Sequence, residues 1–360
     1  MSLRDLRRHV GQLAIVGFPG HAIPADLKRM AAEFDLGGVI YFACNIAEPA
    51  QVADLSREAA DLAQDWPLWI SVDQEGGRVA RLRKPFTEWP PMVTLGRSGD
   101  GQLVEAFAAA LAAELRAVGI NLDYTPVLDI HTNPKNPIIG DRAFGDTAEV
   151  VSRVGAALVC ALHANQVVAC GKHFPGHGDT GTDSHFELPM VEHPPDRLRA
   201  IEFAPFKAAI AAGLATIMTA HVLVPSLDDQ VPATLSRTIV TDVLKGELGF
   251  EGLVISDDLG MKAVADTWPL ADAMVASLQA GCDAVLLCNS MLDEQLVALE
   301  AVIHAVEKGT LPLARVEDAM ARQRRVKTQF AHLMQPGISD LSRLGTDAHH
   351  ALASRMAAFL

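Results

Sequence analysis

The sequence contains no dense run of lysine or arginine. Its 30 basic residues are outnumbered by 44 acidic ones, which gives a formal charge of −14. Nucleic acids and anionic membrane surfaces are bound chiefly through clustered positive charge, so this balance disfavours both as the main partner. Single basic residues in a site could still recognise an acidic substrate.

Cysteine is scarce and shows no pairing pattern. The five cysteines are odd in number and scattered at mostly apolar positions, which is typical of reduced core residues in a cytosolic protein. The longest weakly charged stretch, 208–224, is interrupted by Gly213 and His221, so no membrane span is expected. The apolar run near the start is broken by Gly17 and Pro19 and lacks a cleavage site, which disfavours a signal peptide. We therefore expect a cytoplasmic protein.

Internal repeats, low-complexity tracts and Pro/Ser-rich linkers are also absent from the sequence. Short apolar runs instead alternate with longer Ala/Leu/Glu-rich helical stretches, a pattern typical of parallel βα units. Runs that are apolar throughout predict a sheet covered on both faces. The predicted strands are Leu13–Gly17, Gly38–Phe42, Leu68–Val72, Ile120–Tyr124, Val167–Cys170, Thr216–Thr219, Leu253–Ile255 and Ala284–Leu287. The predicted helices are 24–34, 49–63, 102–118, 147–164, 197–212, 238–247, 266–280 and 292–307.

Nearly every predicted strand is followed by polar residues, such as DQEGGR after the third strand and SDD after the seventh. A closed barrel gathers such strand ends around one site, whereas an open doubly wound sheet concentrates them at a switch point. We therefore predict the α/β class and one (β/α)8 TIM-type barrel, a fold that often reaches this length as one domain. The predicted barrel spans 1–335, and 336–360 form a C-terminal tail that packs on it or trails from it.

The segment KHFPGHGDTGTDSH, 172–185, is the richest in chemistry. Asp183 precedes His185 by two residues, and in an extended segment such side chains project to the same side. A carboxylate on one imidazole nitrogen orients the ring and raises its pKa, so the other nitrogen can exchange a proton near neutral pH. A hydrogen-bonded polar loop is the alternative, but the density of polar residues at a strand end favours an acid/base pair.

The same segment also resembles a metal site. The histidines and aspartates of 173–185 are suitable ligands for several divalent ions. Their spacing, however, matches neither H-E-x-x-H nor the usual Cys/His zinc patterns. We therefore expect no metal and no cofactor, and keep a metal-dependent hydrolase as an alternative.

Three further motifs follow predicted strands. In VISDDLGM, 254–261, Asp257 or Asp258 could serve as nucleophile, base or metal ligand, or both could cap the next helix. In SVDQEGGRVARLR, 71–83, Asp73 suits sugar hydroxyls, and Arg81 follows Arg78 by three residues, as on one face of a helical turn. That segment could equally be a strand–turn–helix junction with a surface ion pair.

The motif PIIGDRAFG, 137–145, places Arg142 in a loop after the fourth predicted strand. Arginine in such a loop could contact a hydroxyl or carboxylate group of a ligand. A local ion pair with Asp141 is an equally good interpretation.

Together these motifs resemble glycoside hydrolase family 3, specifically its single-domain bacterial β-N-acetylhexosaminidases, over about residues 10 to 330. The resemblance implies a TIM barrel and hydrolysis of terminal non-reducing β-linked GlcNAc with retention of configuration. It also implies a cytoplasmic role in peptidoglycan recycling, with GlcNAc-1,6-anhydroMurNAc muropeptides as small-molecule substrates. Many family members carry a second domain that supplies the acid/base, whereas here we expect that group in a barrel loop.

By the same resemblance, Asp257 is the nucleophile, His185 the acid/base and Asp183 its partner. The sugar-binding positions that it implies are Asp73, Arg81, Arg142, Lys172 and His173. Histidine has an unperturbed pKa near 6.5, so it needs less tuning than a carboxylic acid to protonate a leaving oxygen at neutral pH. A phosphorylase of the same family remains an alternative, because a neutral histidine would not repel incoming phosphate. The preferred aglycone and the oligomeric state stay open.

Overall fold

A computed structural model describes residues 2–182, 184, 188–331 and 339–360. Within them, eight parallel strands close into a barrel, with β1 pairing with both β2 and β8. The barrel strands, β1 to β8, are Ala14–Val16, Gly38–Tyr41, Trp69–Val72, Leu122–Asp123, Val168–Phe174, Thr216–Thr219, Leu253–Asp258 and Ala284–Leu287. The predicted (β/α)8 barrel is therefore confirmed.

Helices cover the outside of the barrel. Across the described ranges, α1 to α13 are Leu3–His9, Ala25–Phe34, Pro49–Ala60, Val93–Ser98, Gly101–Ala117, Ala148–Ala164, Pro195–Ala200, Ala204–Ala211, Lys262–Ala265, Leu270–Ala280, Leu292–Glu307, Leu313–Gln329 and Asp347–Ala357. A wide π-type helix spans Thr238–Glu247. Short 3-10 turns occupy Val10–Leu13, Ala43–Asn45, Gly140–Arg142, Ala233–Leu235 and Leu341–Arg343.

Alternating residues of each strand enter two different parts of the core. Ile15 and Ile40 point into a cluster inside the barrel, whereas Val16 and Val39 join the larger cluster between strands and helices. Burial on both faces explains why the strands are apolar throughout. Each fully buried large aliphatic side chain contributes roughly 1.5–3 kcal/mol, so these two layers supply most of the driving force for closure.

The strands that carry the site are longer than the sequence predicts. Strand β5 continues to Phe174, which pairs with Thr219 after a register shift, and β7 continues to Asp258, which pairs with Leu286 after a similar shift. Lys172 and Asp257 are therefore held by the barrel itself and not by the loops after it. The prediction ended both strands early because polar side chains have low strand propensity, which the pairing overrides.

The segment after β3 folds as a two-stranded antiparallel hairpin, Gln74–Gly76 with Val79–Ala80. The prediction of a helical turn there is wrong. Gly76 and Gly77 adopt φ values of +117° and +57°, which glycine reaches without the clash that a Cβ would cause. The paired glycines thus favour a tight hairpin over a helix start.

Helix α12 closes the end of the barrel where the strands begin, opposite their carboxyl ends. Gln323 accepts a hydrogen bond from the Trp69 indole at 3.0 Å and donates to the Gln12 carbonyl at 2.8 Å. Val326 and Phe330 complete the apolar cluster inside the barrel. This plug leaves the opposite end as the accessible mouth.

The last helix, α13, packs on the barrel. Leu352 and Met356 are buried, and the Glu114 carboxylate contacts the His349 ring at 2.9 Å. The predicted boundary between barrel and tail, 335/336, lies outside the described residues, so it stays a prediction.

Candidate active site

The carboxyl ends of the strands surround a cavity. Six of the predicted site residues line it, namely Asp73, Arg81, Arg142, Lys172, His173 and Asp257. The predicted acid/base pair, Asp183 and His185, lies outside the described residues. Ser184, the residue between them, lines the same cavity. The sequence motifs therefore converge on one site.

The two adjacent aspartates at the end of β7 have different surroundings. The Asp258 carboxylate accepts hydrogen bonds from the Gly260 and Cys288 backbone N–H groups, at 3.1 and 2.9 Å, and from the Asn289 amide at 2.6 Å. One Asp257 oxygen accepts only the Asp258 N–H among the contacts described, at 2.8 Å. Asp258 is thus committed to holding the strand end, whereas Asp257 is presented to the cavity.

A buried ion-pair network forms the wall beside Asp257. The Lys172 ammonium, only 2% exposed, lies 2.8 Å from Asp73 Oδ1 and 2.7 Å from Glu75 Oε1. Arg142 binds Glu75 in a bidentate pair, with Nε and Nη2 at 2.9 and 2.8 Å from the two carboxylate oxygens. Arg81 reaches the other Asp73 oxygen at 3.2 Å.

Burial alone would raise the pKa of the Asp73 carboxyl, but Lys172 and Arg81 outweigh it and hold this pKa below its usual value. Burial opposes ionisation of Glu75 too, yet Arg142 and Lys172 keep its pKa far below the usual range. In return, these carboxylates raise the pKa of Lys172 against the effect of burial. The network is therefore fully charged at neutral pH and presents fixed dipoles to a ligand.

His173 is oriented by Asp129, which is fully buried beneath it. The Asp129 carboxylate lies 2.7 Å from His173 Nδ1 and accepts the His177 backbone N–H at 2.6 Å. This contact commits Nδ1 and leaves Nε2 of His173 for the cavity. A carboxylate behind a histidine in this way fixes the tautomer and the ring plane.

His177 connects this wall to the segment that carries the predicted acid/base. Burial lowers the pKa of His177 to about 4, so the ring is neutral. Its Nδ1 lies 2.7 Å from Thr180 Oγ1, whose hydroxyl donates to the His177 carbonyl. Nδ1 must therefore donate to Thr180, and Nε2 accepts from the Ser184 hydroxyl at 3.2 Å. The Ser184 carbonyl in turn accepts the Ala263 N–H of α9, the short helix that follows β7.

The contacts of 173–185 do not resemble a metal centre. Asp179 contacts Thr132, His193 and Arg197, while the two histidines use Nδ1 for Asp129 and Thr180. Within the described part of this segment, no three ligand atoms come close enough to hold one ion. The site is instead built for charge and hydrogen-bond recognition.

The model of the glycosyl hydrolase family 3 N-terminal domain matches residues 5–326. The chain belongs to glycoside hydrolase family 3. This match covers the whole barrel, including the strands and loops that line the cavity, and it confirms the resemblance carried by the motifs.

Curated family 3 relatives are named as hexosaminidases. "Beta-hexosaminidase A" of Pseudoalteromonas piscicida is 34% identical over 93% of this chain, which spans 60% of that relative's length. Among solved structures, a family 3 β-N-acetylglucosaminidase from Paenibacillus sp. FPU-7 superposes with a TM-score of 0.94 at 41% identity, over 100% of this chain and 69% of that one. NagZ from Neisseria gonorrhoeae, solved with N-trifluoroacetyl-D-glucosamine, gives a TM-score of 0.78 at 30% identity, over 96% and 97% of the chains.

Other structural features of this family 3 chain bear on the sequence interpretation. All five cysteines are free, as predicted, although Cys44 and Cys160 are exposed and not in the core. None of the helices that the structure describes combines the length and hydropathy needed to cross a bilayer. Arg142 pairs with Glu75, while the adjacent Asp141 lies 3.7 Å from Arg78, so the suggested Asp141–Arg142 pair does not form.

Glu75 and Asp123 are site residues that the sequence motifs do not assign, and Asp129 is only a weaker candidate at the sequence level. Glu75 stands two residues after Asp73, and a period of two places both on the same side of an extended segment. That signal could have identified Glu75. Asp123 lies beneath the network, fully buried, and one of its oxygens accepts the Gln74 N–H at 2.9 Å. Asp123 comes close to the ion-pair network only when the barrel closes, so no local sequence pattern identifies this residue.

Glu75→Gln is expected to destabilise the fold by about 3–5 kcal/mol, because removing one partner leaves Lys172 and Arg142 as undercompensated buried charges. Urea unfolding measures this loss. Glu88→Gln is the matched control: Glu88 lies 3.6 Å from Lys84 in a surface pair, so its loss should be below about 1 kcal/mol. Equal losses for both variants would contradict a special role for the buried network.

Asp123→Asn is expected to change how stability depends on pH. Burial raises the pKa of Asp123 to about 8, against the Gln74 hydrogen bond and the Lys172 charge. The unfolded value is near 3.9, so the folded state retains a proton that the unfolded state releases. This stabilisation is complete below about pH 4 and is lost as pH rises through about 8, at up to about 1.4 kcal/mol per pH unit.

The asparagine variant cannot ionise and keeps an oxygen to accept the Gln74 N–H. As pH rises from about 4 to about 8, the free energy of unfolding of the parent chain should therefore fall relative to that of the variant. Urea unfolding below, within and above the window measures the difference. Parallel stability profiles for the two chains would show that Asp123 is ionised throughout.

Proposed function

We propose that the chain is a retaining exo-β-N-acetylglucosaminidase that forms a covalent glycosyl-enzyme on Asp257. The observation that carries this proposal is the contrast at the end of β7, where both aspartates line the cavity but three donors fix Asp258, whereas Asp257 accepts one backbone N–H among the contacts described. A carboxylate held by a strand at the barrel mouth suits attack on an anomeric carbon. The names of the family 3 relatives support the same sugar.

In the first step a carboxylate oxygen of Asp257 attacks the anomeric carbon, and the bond to the aglycone oxygen breaks. His185 gives its proton to that oxygen as it leaves. In the second step His185 takes a proton from water, whose oxygen attacks the same carbon and displaces Asp257. The two inversions give net retention and return both residues to their starting states.

Asp183 would hold the His185 ring and stabilise the imidazolium before proton transfer, as a carboxylate partner of histidine does. Ser184 supports this assignment, because it lies between the two residues, lines the cavity and is bonded to the neutral His177. Ser184 thereby anchors the segment to the cavity lining through His177 and Ala263.

Asp73, Arg81, Arg142, Lys172 and His173 would bind the sugar. The Lys172, Asp73 and Arg81 side chains combine acceptors and donors of fixed direction, which suits neighbouring hydroxyl groups. Because the network is already ordered and charged, it needs no reorganisation when charge develops on the sugar ring. Its contacts can therefore strengthen in the transition state.

For the natural substrate we propose GlcNAc-1,6-anhydroMurNAc muropeptides, processed in the cytoplasm during peptidoglycan recycling. The chain's similarity over nearly the full length of NagZ, which was solved with a glucosamine derivative, supports a terminal aminosugar at the site. Anhydro-muropeptides with and without the stem peptide test the assignment. Release of GlcNAc from neither would confine the proposal to simpler glycosides.

A chromogenic β-GlcNAc substrate, assayed with purified protein in EDTA, tests the activity. We expect turnover that is unchanged by the chelator and a product that is free GlcNAc whether or not phosphate is present. A sugar phosphate formed only with phosphate would indicate the phosphorylase alternative. Loss of turnover in EDTA, restored by a divalent ion, would indicate the metal-dependent alternative, and no turnover under any condition would refute the proposal.

A further inference from the structure

A second cluster of ligating side chains lies at the end of the barrel opposite the cavity. His9 ends α1, Asp35 follows α2 just before β2, and Asp65 lies between α3 and β3. One ligand atom from each of the three lies within 4.8 Å of the other two. The three side chains come from separate segments, so the barrel fold brings them together and no sequence motif does.

The hydrogen bonding of His9 leaves one ring nitrogen directed at this cluster. Its Nδ1 lies 2.9 Å from the Asp5 carbonyl, which can only accept, so Nδ1 carries the hydrogen. The other ring nitrogen, Nε2, lies 2.9 Å from Asp65 Oδ2 and so faces the carboxylates of the cluster. Metal-bound histidines commonly donate their other N–H to a carbonyl in this way.

Asp35 provides an independent indication of a ligand. The residue is 1% exposed, and its Oδ1 accepts the Gln64 N–H at 3.3 Å. Its Oδ2 is buried and has no hydrogen-bond partner among the described residues. A buried carboxylate oxygen without a partner is costly, and a bound cation is one of the few groups that satisfies it.

The cations already nearby do not fill this role. Arg8 contacts Asp65 at 2.9 Å, but its side chain is 62% exposed and can turn away into solvent. The buried Lys327 ammonium donates to Gln12 Oε1 at 2.7 Å and to the Gly37 carbonyl at 2.9 Å. Neither donates a hydrogen bond to Asp35 Oδ2. His9 and Asp65 line a surface depression, so an ion can enter from solvent.

We propose that His9, Asp35 and Asp65 bind one divalent transition-metal ion, with Zn²⁺ as the best match. One imidazole nitrogen and two carboxylate oxygens, completed by water, form a common ligand set for this ion. Mg²⁺ and Ca²⁺ prefer sites built from oxygen alone. The bound ion would join the ends of α1, α2 and α3 at the closed end of the barrel and stabilise the fold without touching substrate.

The test uses the full chain, stripped with a chelator and dialysed, and measures Zn²⁺ binding by calorimetry together with the thermal midpoint. We expect Zn²⁺ to bind and raise the midpoint, and Mg²⁺ at the same concentration to do neither. Asp65→Asn and His9→Asn each remove one ligand and should weaken binding at least about tenfold, since losing even a hydrogen-bond partner of a metal ligand costs that much. Asp61→Asn, an exposed neighbour on the same face, is the matched control and should bind as the parent chain does.

Co²⁺ gives a second readout, because its visible spectrum changes when imidazole and carboxylate replace water. The spectrum should appear with the parent chain and with Asp61→Asn, and be lost in both ligand variants. Hydrolytic activity should be the same in all four chains, which separates this site from the catalytic cavity. Zn²⁺ binding that is unchanged in Asp65→Asn and His9→Asn, or no Zn²⁺ binding by the parent chain, would overturn the proposal.

Discussion

Asp257→Ala is expected to lower kcat/KM for an aryl β-N-acetylglucosaminide by at least about 10⁴-fold, as loss of a nucleophile does in other covalent enzymes. The reason is local. Asp257 is the cavity-facing carboxylate at the end of β7, and the Asp258 carboxylate beside it is committed to three donors. Asp258 therefore cannot take over the role. Steady-state kinetics with the chromogenic substrate measure the loss.

Asp266→Ala is the matched control, because Asp266 is an exposed aspartate just after α9, a short distance along the chain, and should be dispensable. Azide added to Asp257→Ala should restore turnover, since a small anion can occupy the space left by the carboxylate and attack the anomeric carbon. The product would be a glycosyl azide of inverted configuration. Activity of Asp257→Ala close to that of the parent chain would remove Asp257 from the nucleophile role.

His185→Ala is expected to give a loss that depends on the leaving group. An aryl leaving group with a low pKa departs without a proton, whereas an alkyl or sugar oxygen needs one. The variant should therefore lose about 10²–10⁴-fold more kcat/KM with an unactivated glycoside than with a nitrophenyl glycoside. Kinetics on a series of aglycones of graded pKa measure this difference as the slope of log(kcat/KM) against the pKa of the leaving group.

The parent chain should show a shallow slope in that series and His185→Ala a steep one. His304→Ala is a suitable control, because His304 is an exposed histidine of α11 that contacts Glu307 on the surface. Equal losses for all aglycones would assign His185 to binding or folding and leave the acid/base unidentified.

Most of the fold follows from local sequence patterns. Each apolar run, such as the one around Ile255, carries enough β-branched residues to be recognised, and the helical stretches between such runs indicate parallel units. Polar residues at the strand ends predict closure into a barrel, and the pairing of β1 with β8 confirms it. Strand ends were less predictable, because Lys172 and Asp257 continue their strands through pairing with neighbours that are distant in sequence.

The cavity-lining site residues were predictable for a different reason. The motifs place Asp73, Lys172 and Asp257 at strand ends and Arg142 in the loop after the fourth strand, and parallel strands bring such ends together. Their partners are harder to predict from sequence. Asp129 contacts His173, 44 residues away, and Glu75 pairs with Arg142, 67 residues away. Glu75 has a local signal in its two-residue spacing from Asp73, whereas the contact of Asp129 with His173 leaves no local periodicity and follows only from the closed barrel.

The most direct test of the central claim is to trap the intermediate. A fluorinated N-acetylglucosaminyl donor that forms the glycosyl-enzyme faster than it is hydrolysed should add one sugar per chain. Intact mass spectrometry counts the label, and peptide mapping should locate it on Asp257, with none on Asp257→Ala. A label on another residue, or turnover of the donor with inversion at the anomeric carbon and no label, would contradict the account.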